Sequence, residues 1–122
     1  MGLTKPDKRS IFYEDGKIYA CLASFPIVRG HVVVVWKKDV KDLHLLSRKD
    51  FEYLMDGVDV IRNLMLKTLK IKKVYLIYMD EVNHVHWHLI PRYNVRGFNI
   101  LKHKPTRLKD FRLVQKLNKR LN

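Results

Sequence analysis

The sequence contains few of the residues that form cross-links or interrupt helices and strands, with one cysteine, four prolines and five glycines among 122 residues. The single cysteine, Cys21, excludes an intramolecular disulfide and is typical of a reducing compartment, and its strand-like surroundings predict a buried thiol. No apolar run approaches the roughly 20 residues that a membrane-spanning helix needs, and the N-terminal residues lack the apolar core of a signal peptide. We therefore expect one cytoplasmic domain over residues 1–122 with no membrane partner.

Acidic residues are also scarce, because 12 Asp and Glu face 25 Lys and Arg, which leaves a formal net charge of +13. The excess is concentrated at the C-terminus, where residues 92–122 contain ten basic residues and one acid, Asp110, or +9. Such a field favours anionic partners, among them nucleotides and nucleic acid. A docking helix with a solvated basic face is the alternative interpretation of the same charges, and charge alone leaves both open.

Hydrophobic periodicity predicts two strands around Asp15-Gly16, over 10–15 and 17–22, and a buried strand over 32–36. A helix is predicted from Ser47, a favourable N-cap, to about Lys70, with one apolar stripe. Two further strands are expected, a buried one over 74–79 and another over 84–90, which Pro91 ends and which pairs with the first as an antiparallel hairpin. Residues 94–105 look irregular, and Thr106 is the expected cap of a last, basic helix.

The most informative segment is NHVHWHLIPR, residues 83–92, in which His84, His86 and His88 alternate with apolar residues. Alternate residues of a strand share a face, so one strand would present a row of three imidazoles. Such a row is suited to phosphoryl or nucleotidyl transfer, with the central ring attacking phosphorus and its neighbours binding the oxygens. A metal site with His31, Asp80 or Glu81 as a fourth ligand is a second hypothesis. Inert, hydrogen-bonded histidines are the third.

The segment H-V-H-W-H-L-I, followed by Pro91-Arg92, resembles the signature of the histidine-triad family. Gly30-His31 leading into the valine run is similar to that family's upstream strand, and the resemblance covers residues 10–92, with 93–122 as a basic extension. It implies an α+β fold with about five antiparallel strands, one long helix packed on the sheet and a homodimer. It also implies a hydrolase or transferase acting on nucleotides or dinucleotides, without a catalytic metal or other cofactor.

Carried onto this sequence, the resemblance makes His86 the nucleophile, His84 an orienting residue whose carbonyl holds the His86 ring, and His88 a phosphate contact. His31 matches a fourth histidine near the same site. The candidates for substrate binding are Asn83, Arg92, Ser24 and Lys37.

Two departures from the family pattern concern the substrate. The loop before the triad is shortened to residues 80–83, which leaves Asn83 as the expected donor to the leaving group. Ala23 occupies the position where the family often has an acid for the ribose hydroxyls, so Ser24 is the nearest polar substitute. We expect a nucleotide site that is wide enough for a larger anion, such as a dinucleoside polyphosphate or an adenylylated nucleic-acid end.

Overall fold

The computed structural model describes residues 3–121, apart from the Phe98 side chain. Within that range five strands form one antiparallel sheet in the order β1-β2-β3-β5-β4. The elements are β1 (Ile11–Glu14), β2 (Ile18–Leu22), β3 (Val32–Trp36), α1 (Arg48–Leu69), β4 (Lys73–Ile77), β5 (His86–Arg92), α2 (Gly97–Ile100) and α3 (Arg112–Leu121). The expected α+β architecture, with a long helix against a five-stranded sheet, is confirmed. Among the described residues, no helix is long and apolar enough to span a membrane.

The β1–β2 turn is organised by the carboxylate of Asp15, which accepts the backbone N–H groups of Lys17 and Ile18 at 2.8 and 2.9 Å. The hydroxyls of Tyr13 and Tyr53 donate to the same carboxylate. Burial opposes ionisation of Asp15, but these four hydrogen bonds outweigh it and lower its pKa. Because Tyr53 lies on α1, the carboxylate also ties the hairpin to the helix.

Helix α1 begins and ends as the sequence predicts. The Ser47 hydroxyl accepts the Asp50 N–H at 3.1 Å, and Lys70 terminates the helix in the left-handed conformation at φ 54°. Gly57 lies where the helix crosses β2, and a Cβ there would come within 2.7 Å of Ile18 Cδ1. The glycine that weakens the helix in isolation therefore permits its close approach to the sheet.

Helices α1 and α3 pack on the same face of the sheet and enclose the apolar core. The core includes residues from β2, β3, β5, α1 and α3, among them Ala20, Val32, Val34, Leu54, Val58, Met65, Leu89 and Leu117, each at most 1% exposed. Even-numbered residues of β2 and β3 face this core, so their odd-numbered neighbours face the other side of the sheet.

The predicted strand over 74–79 is an edge strand and not a buried one, since its five residues Lys73–Ile77 are all partly or fully exposed. The predicted end of β5 at Ile90 is also wrong, because the strand continues through Pro91, opposite Val74, to Arg92. Pairing with β3 stops at Leu89. Proline is thus tolerated where β5 has a neighbour on one side only.

The C-terminal helix begins at Arg112 and not at Thr106 as predicted. Residues 106–110 have no regular secondary structure. The Leu108 N–H donates to the Ser24 carbonyl at 2.7 Å and holds this segment against the loop before β3. Asp110, whose carboxylate accepts the Arg112 N–H at 3.0 Å, takes the capping place expected of Thr106. The region expected to be irregular contains the four-residue α2.

Candidate functional site

The site lies on the face of the sheet that α1 and α3 leave uncovered. In β5, His86 stands opposite Val35 and His88 opposite Val33, whereas Trp87 stands opposite the core residue Val34. Because side chains alternate along a strand, His86 and His88 point away from the apolar core, whereas Trp87 between them points toward it. Their ring centroids are 5.0 Å apart.

His84 is not part of β5, contrary to the expectation of three imidazoles from one strand. Asn83 adopts the left-handed conformation at φ 57°, and the His84 N–H donates to Asp80 Oδ1 at 3.1 Å, so the chain is still turning there. The His84 ring instead contacts the end of β3, with Nε2 at 2.6 Å from the Trp36 carbonyl oxygen.

The His84 carbonyl orients the central ring. His86 Nδ1 lies 2.6 Å from that oxygen, so Nδ1 donates its proton and the neutral ring keeps its lone pair on Nε2. The His86 side chain is buried, at 4% exposure for the residue, and it lines a cavity. An imidazole with its second nitrogen fixed by a main-chain oxygen presents one defined nucleophilic atom.

His31 continues the hydrogen-bond network from the start of β3. The Ile27 N–H donates to His31 Nδ1 at 3.1 Å, so the proton of the neutral ring is on Nε2. That nitrogen lies 3.0 Å from His88 Nδ1 and donates to it. His88 must then hold its own proton on Nε2, where it can be donated to an anion. One backbone amide thus fixes the tautomers of two imidazoles.

Burial keeps both of these rings neutral. Desolvation, with a smaller effect from His88, lowers the pKa of His31 to about 3. Desolvation and the neighbouring His86 lower the pKa of His88 to about 4. Near neutral pH each ring therefore carries one proton and no charge, as the donor and acceptor assignments above require.

A cavity of about 220 Å³ opens in front of the histidines. Its walls come from the N-terminal segment, β2, the following loop, β3 and β5: Leu3, Thr4, Pro6, Tyr19, Cys21, Ala23, Ser24, Phe25, His31, Val33, Val35, His86 and His88. The predicted buried thiol is confirmed, and burial raises the pKa of Cys21 to about 12, so it stays protonated.

The structure brings only one of the four predicted substrate-binding residues to this cavity, namely Ser24. Lys37 lies beyond the lining residues and forms a salt bridge with Glu14 at 2.6 Å. Arg92 ends β5 opposite Lys73, outside the lining, and its buried Nε has no partner among the described residues. Asn83 is exposed in the turn before β5 and does not line the cavity.

Several lining residues were not anticipated from the sequence. Tyr19 faces the histidines because β2 alternates its side chains, a placement that the predicted strand already contained. Leu3 and Pro6 reach the cavity only because the N-terminal segment crosses the sheet, for which the sequence has no local signal. The role of the Ile27 amide is independent of the side chain and is equally invisible in a sequence.

The described residues do not favour the metal hypothesis. Within residues 3–121, no group of three or more His, Cys, Asp or Glu side chains is disposed to hold a metal ion. His31 Nε2 and His88 Nδ1 face each other, and His86 Nδ1 faces a carbonyl, so three ring nitrogens are already used in hydrogen bonds.

Comparison with known proteins agrees with this geometry. A family model described as the HIT domain matches residues 5–95, which include every histidine of the site. The chain belongs to the HIT family. An uncharacterized HIT-like protein of Methanocaldococcus jannaschii is 32% identical over 92 residues, which cover 71% of each chain.

Solved structures of HIT proteins have the same fold. The diadenosine triphosphate hydrolase of Plasmodium falciparum, solved with cyclomarin A, superposes with a TM-score of 0.80 at 19% identity, covering 99% of this chain and 82% of that one. A hypothetical histidine triad nucleotide-binding protein of Sulfolobus tokodaii gives a TM-score of 0.72 at 23% identity, covering 91% and 81%. At these identities the likeness shows the fold alone.

Proposed function

We propose that this HIT protein is a nucleotide hydrolase or nucleotidyl transferase that cleaves a nucleoside phosphoramidate or dinucleoside polyphosphate at the α-phosphate. His86 is the nucleophile. The observation that supports this role best is the 2.6 Å contact between His86 Nδ1 and the His84 carbonyl, which leaves Nε2 unprotonated beside the cavity.

In the first step the His86 Nε2 lone pair attacks the α-phosphorus. A P–N bond forms, the bond from phosphorus to the leaving group breaks, and the leaving group departs with the bonding electrons and takes up a proton. The imidazole of the nucleotidyl-histidine carries a positive charge, which the His84 carbonyl dipole stabilises through the remaining N–H. In the second step the oxygen of an acceptor, which is water in a hydrolase, attacks phosphorus and loses a proton to solvent. The P–N bond breaks, and His86 Nε2 recovers its lone pair.

His88 and His31 act on the phosphate oxygens. The His88 Nε2–H donates to a non-bridging oxygen, where negative charge increases in the transition state. His31 does not touch substrate in this scheme; it is a positioning residue that holds the His88 proton on Nε2. Family membership supports the coarse assignment, since one structural relative is a diadenosine triphosphate hydrolase.

The test is hydrolysis of adenosine phosphoramidate and diadenosine triphosphate in the presence of chelator. We expect His86→Ala to lower kcat by at least about a thousandfold, because no other nitrogen can replace Nε2. The wild-type protein, quenched in alkali during turnover, should show a nucleotidyl adduct on the peptide that contains His86. The variant should show none.

His44→Ala is the matched control, because His44 is exposed and pairs with Asp42 away from the cavity. It should retain wild-type kcat and KM. Equal turnover by the His86→Ala protein, with an unchanged circular dichroism spectrum, would reject the mechanism.

A further inference from the structure

The peptide group between His84 and Val85 is hydrogen-bonded at both of its polar atoms. Its carbonyl oxygen lies 2.6 Å from His86 Nδ1, and its N–H donates to the Val40 carbonyl at 2.9 Å. The C=O and N–H of a trans peptide point in opposite directions, so a rotation of this plane would break both bonds. Val85 is 0% exposed, where water cannot easily replace a lost partner. The orientation of this peptide group therefore decides which nitrogen of His86 carries the proton.

Strand pairing does not fix the chain where it enters this peptide group. His84 precedes β5 and follows Asn83, which is in the left-handed conformation. A side chain holds the backbone here instead, since the His84 N–H donates to Asp80 Oδ1 at 3.1 Å. The two peptide groups that flank the His84 Cα atom are thus both held, one by Asp80 and the other by Val40.

The Asp80 carboxylate is in turn oriented by Tyr78. The Tyr78 hydroxyl donates to Asp80 Oδ2 at 3.1 Å and accepts the Leu43 N–H at 3.0 Å. Burial and the hydrogen bond to Asp80 raise the pKa of Tyr78 to about 12, so the hydroxyl keeps the proton that it donates. Each carboxylate oxygen of Asp80 therefore has its own donor, which fixes the plane of the carboxylate.

Tyr78 also contacts the strand that carries the nucleophile. Its ring packs on that of Trp87, the neighbour of His86 in β5, with the two ring centroids 5.2 Å apart. Neither Tyr78 nor Asp80 lines the histidine cavity. An effect of these two residues on catalysis must therefore pass through the backbone of His84 and not through contact with substrate.

We propose that Asp80 and Tyr78 are positioning residues that fix the tautomer of His86 through the backbone of His84. While the His84 carbonyl faces Nδ1, the neutral ring carries its proton there and its lone pair on Nε2. If that carbonyl turns away, the proton can move to Nε2, and the cavity loses its nucleophile. This inference rests on the proposed function, to which it adds two residues remote from the substrate.

The tautomer is measured directly, from the ¹⁵N chemical shifts of the two His86 ring nitrogens at about pH 8, where an ordinary imidazole is neutral. The wild-type protein should show a protonated Nδ1 and an unprotonated Nε2. Asp80→Ala removes both acceptor oxygens and should raise the fraction of rings with the proton on Nε2 at least about tenfold. Tyr78→Phe removes one hydroxyl, keeps the ring on Trp87, and should raise that fraction about twofold or more.

Hydrolysis of diadenosine triphosphate by the same variants measures the consequence for catalysis. Asp80→Ala should lower kcat at least about tenfold and change KM less than about twofold, because the nucleophile is altered and the cavity wall is not. Asp80→Asn keeps a carbonyl oxygen for the His84 N–H and should retain kcat within about threefold of wild type. A loss that arose only from a weakened fold would not separate kcat from KM in this way.

Glu81→Ala is the matched control, because it removes the same charge from the same turn at an exposed position outside the cavity. It should leave kcat and the His86 tautomer unchanged. A wild-type tautomer in either Asp80→Ala or Tyr78→Phe would overturn the positioning role, and so would an equal effect of Glu81→Ala. If the wild-type protein hydrolyses neither diadenosine triphosphate nor adenosine phosphoramidate while the tautomer still shifts in both variants, the proposed function fails and the positioning role stands.

Discussion

The two faces of the sheet bury different kinds of side chain, with different consequences for stability and chemistry. On the face toward α1 and α3, the buried residues are mainly apolar, as at Leu54 and Leu89, both 0% exposed. On the other face, His31, just before β3, and His86, in β5, are buried at 4% exposure each, and each makes a hydrogen bond. The first face supplies most of the hydrophobic stabilisation. The second uses desolvation to fix where protons lie, at a cost in stability that depends on pH.

The largest effect is expected on the apolar face. Leu54→Ala should lower the free energy of unfolding by about 3–5 kcal/mol, because it removes buried methyl groups and leaves a cavity that helix and sheet cannot close. Urea denaturation at pH 7 measures it. Leu45→Ala, at a position 58% exposed, should stay within about 0.5 kcal/mol of wild type. A loss at Leu54 no larger than at Leu45 would contradict the assignment of the core.

The second prediction concerns acid and the histidine face. His31 and His88 have folded-state pKa values of about 3 and 4, whereas an unfolded histidine titrates near 6.5. Below pH 6.5 the unfolded chain therefore binds protons that the folded chain does not. The stabilisation present above pH 6.5 should fall by about 3 kcal/mol in total on lowering the pH to 5.

Urea denaturation at pH 6.5 and pH 5 measures this loss. His88→Gln removes one of the two groups and should reduce the pH dependence, whereas His44→Gln, at an exposed position, should leave it unaltered. Equal stability of the wild-type protein at the two pH values would show that the imidazoles are not desolvated as described.

A third prediction concerns the edge at which the two faces meet, and the homodimer, which stays a prediction. Strand β4 is at the edge of the sheet, and Leu76 and Met79 beside it are 39% and 62% exposed. If two copies pair through β4, Leu76→Lys should raise the dimer dissociation constant at least about tenfold, or about 1.4 kcal/mol. Sedimentation velocity over a concentration series checks it, with Val60→Lys, on the far side of α1, as the control.

The smallest expected effect tests the contact between α1 and β2. Gly57→Ala gains helix propensity but forces the Ile18 Cδ1 atom to move, so we expect a net change below about 1 kcal/mol. In an Ile18→Val background, which lacks that atom, the same substitution should stabilise the protein by up to about 1 kcal/mol. A double-mutant cycle measures the coupling, and additive effects would exclude the proposed clash.

Elements with a strong local signal were predictable, and those set by distant contacts were not. The Ser47 cap and the apolar stripe defined α1, and the Asp15-Gly16 turn defined the first hairpin, because the forces that form them act within a few residues. The starts of β5 and α3 were misjudged, since the Trp36 carbonyl and the Ser24 carbonyl decide them from far along the chain. Of the substrate-binding candidates Ser24, Lys37 and Arg92, the fold brings only Ser24 to the cavity wall, and their roles stay predictions.

The direction of the hydrogen bonds through His31 and His88 originates at a main-chain amide, that of Ile27. A peptide N–H does not titrate in the range where proteins fold, so acid or base cannot reverse that direction without unfolding the loop. Every residue type except proline provides this N–H. The hydrogen bond to His31 therefore depends on the backbone at position 27 and not on its side chain, and proline is the one replacement that would remove the donor.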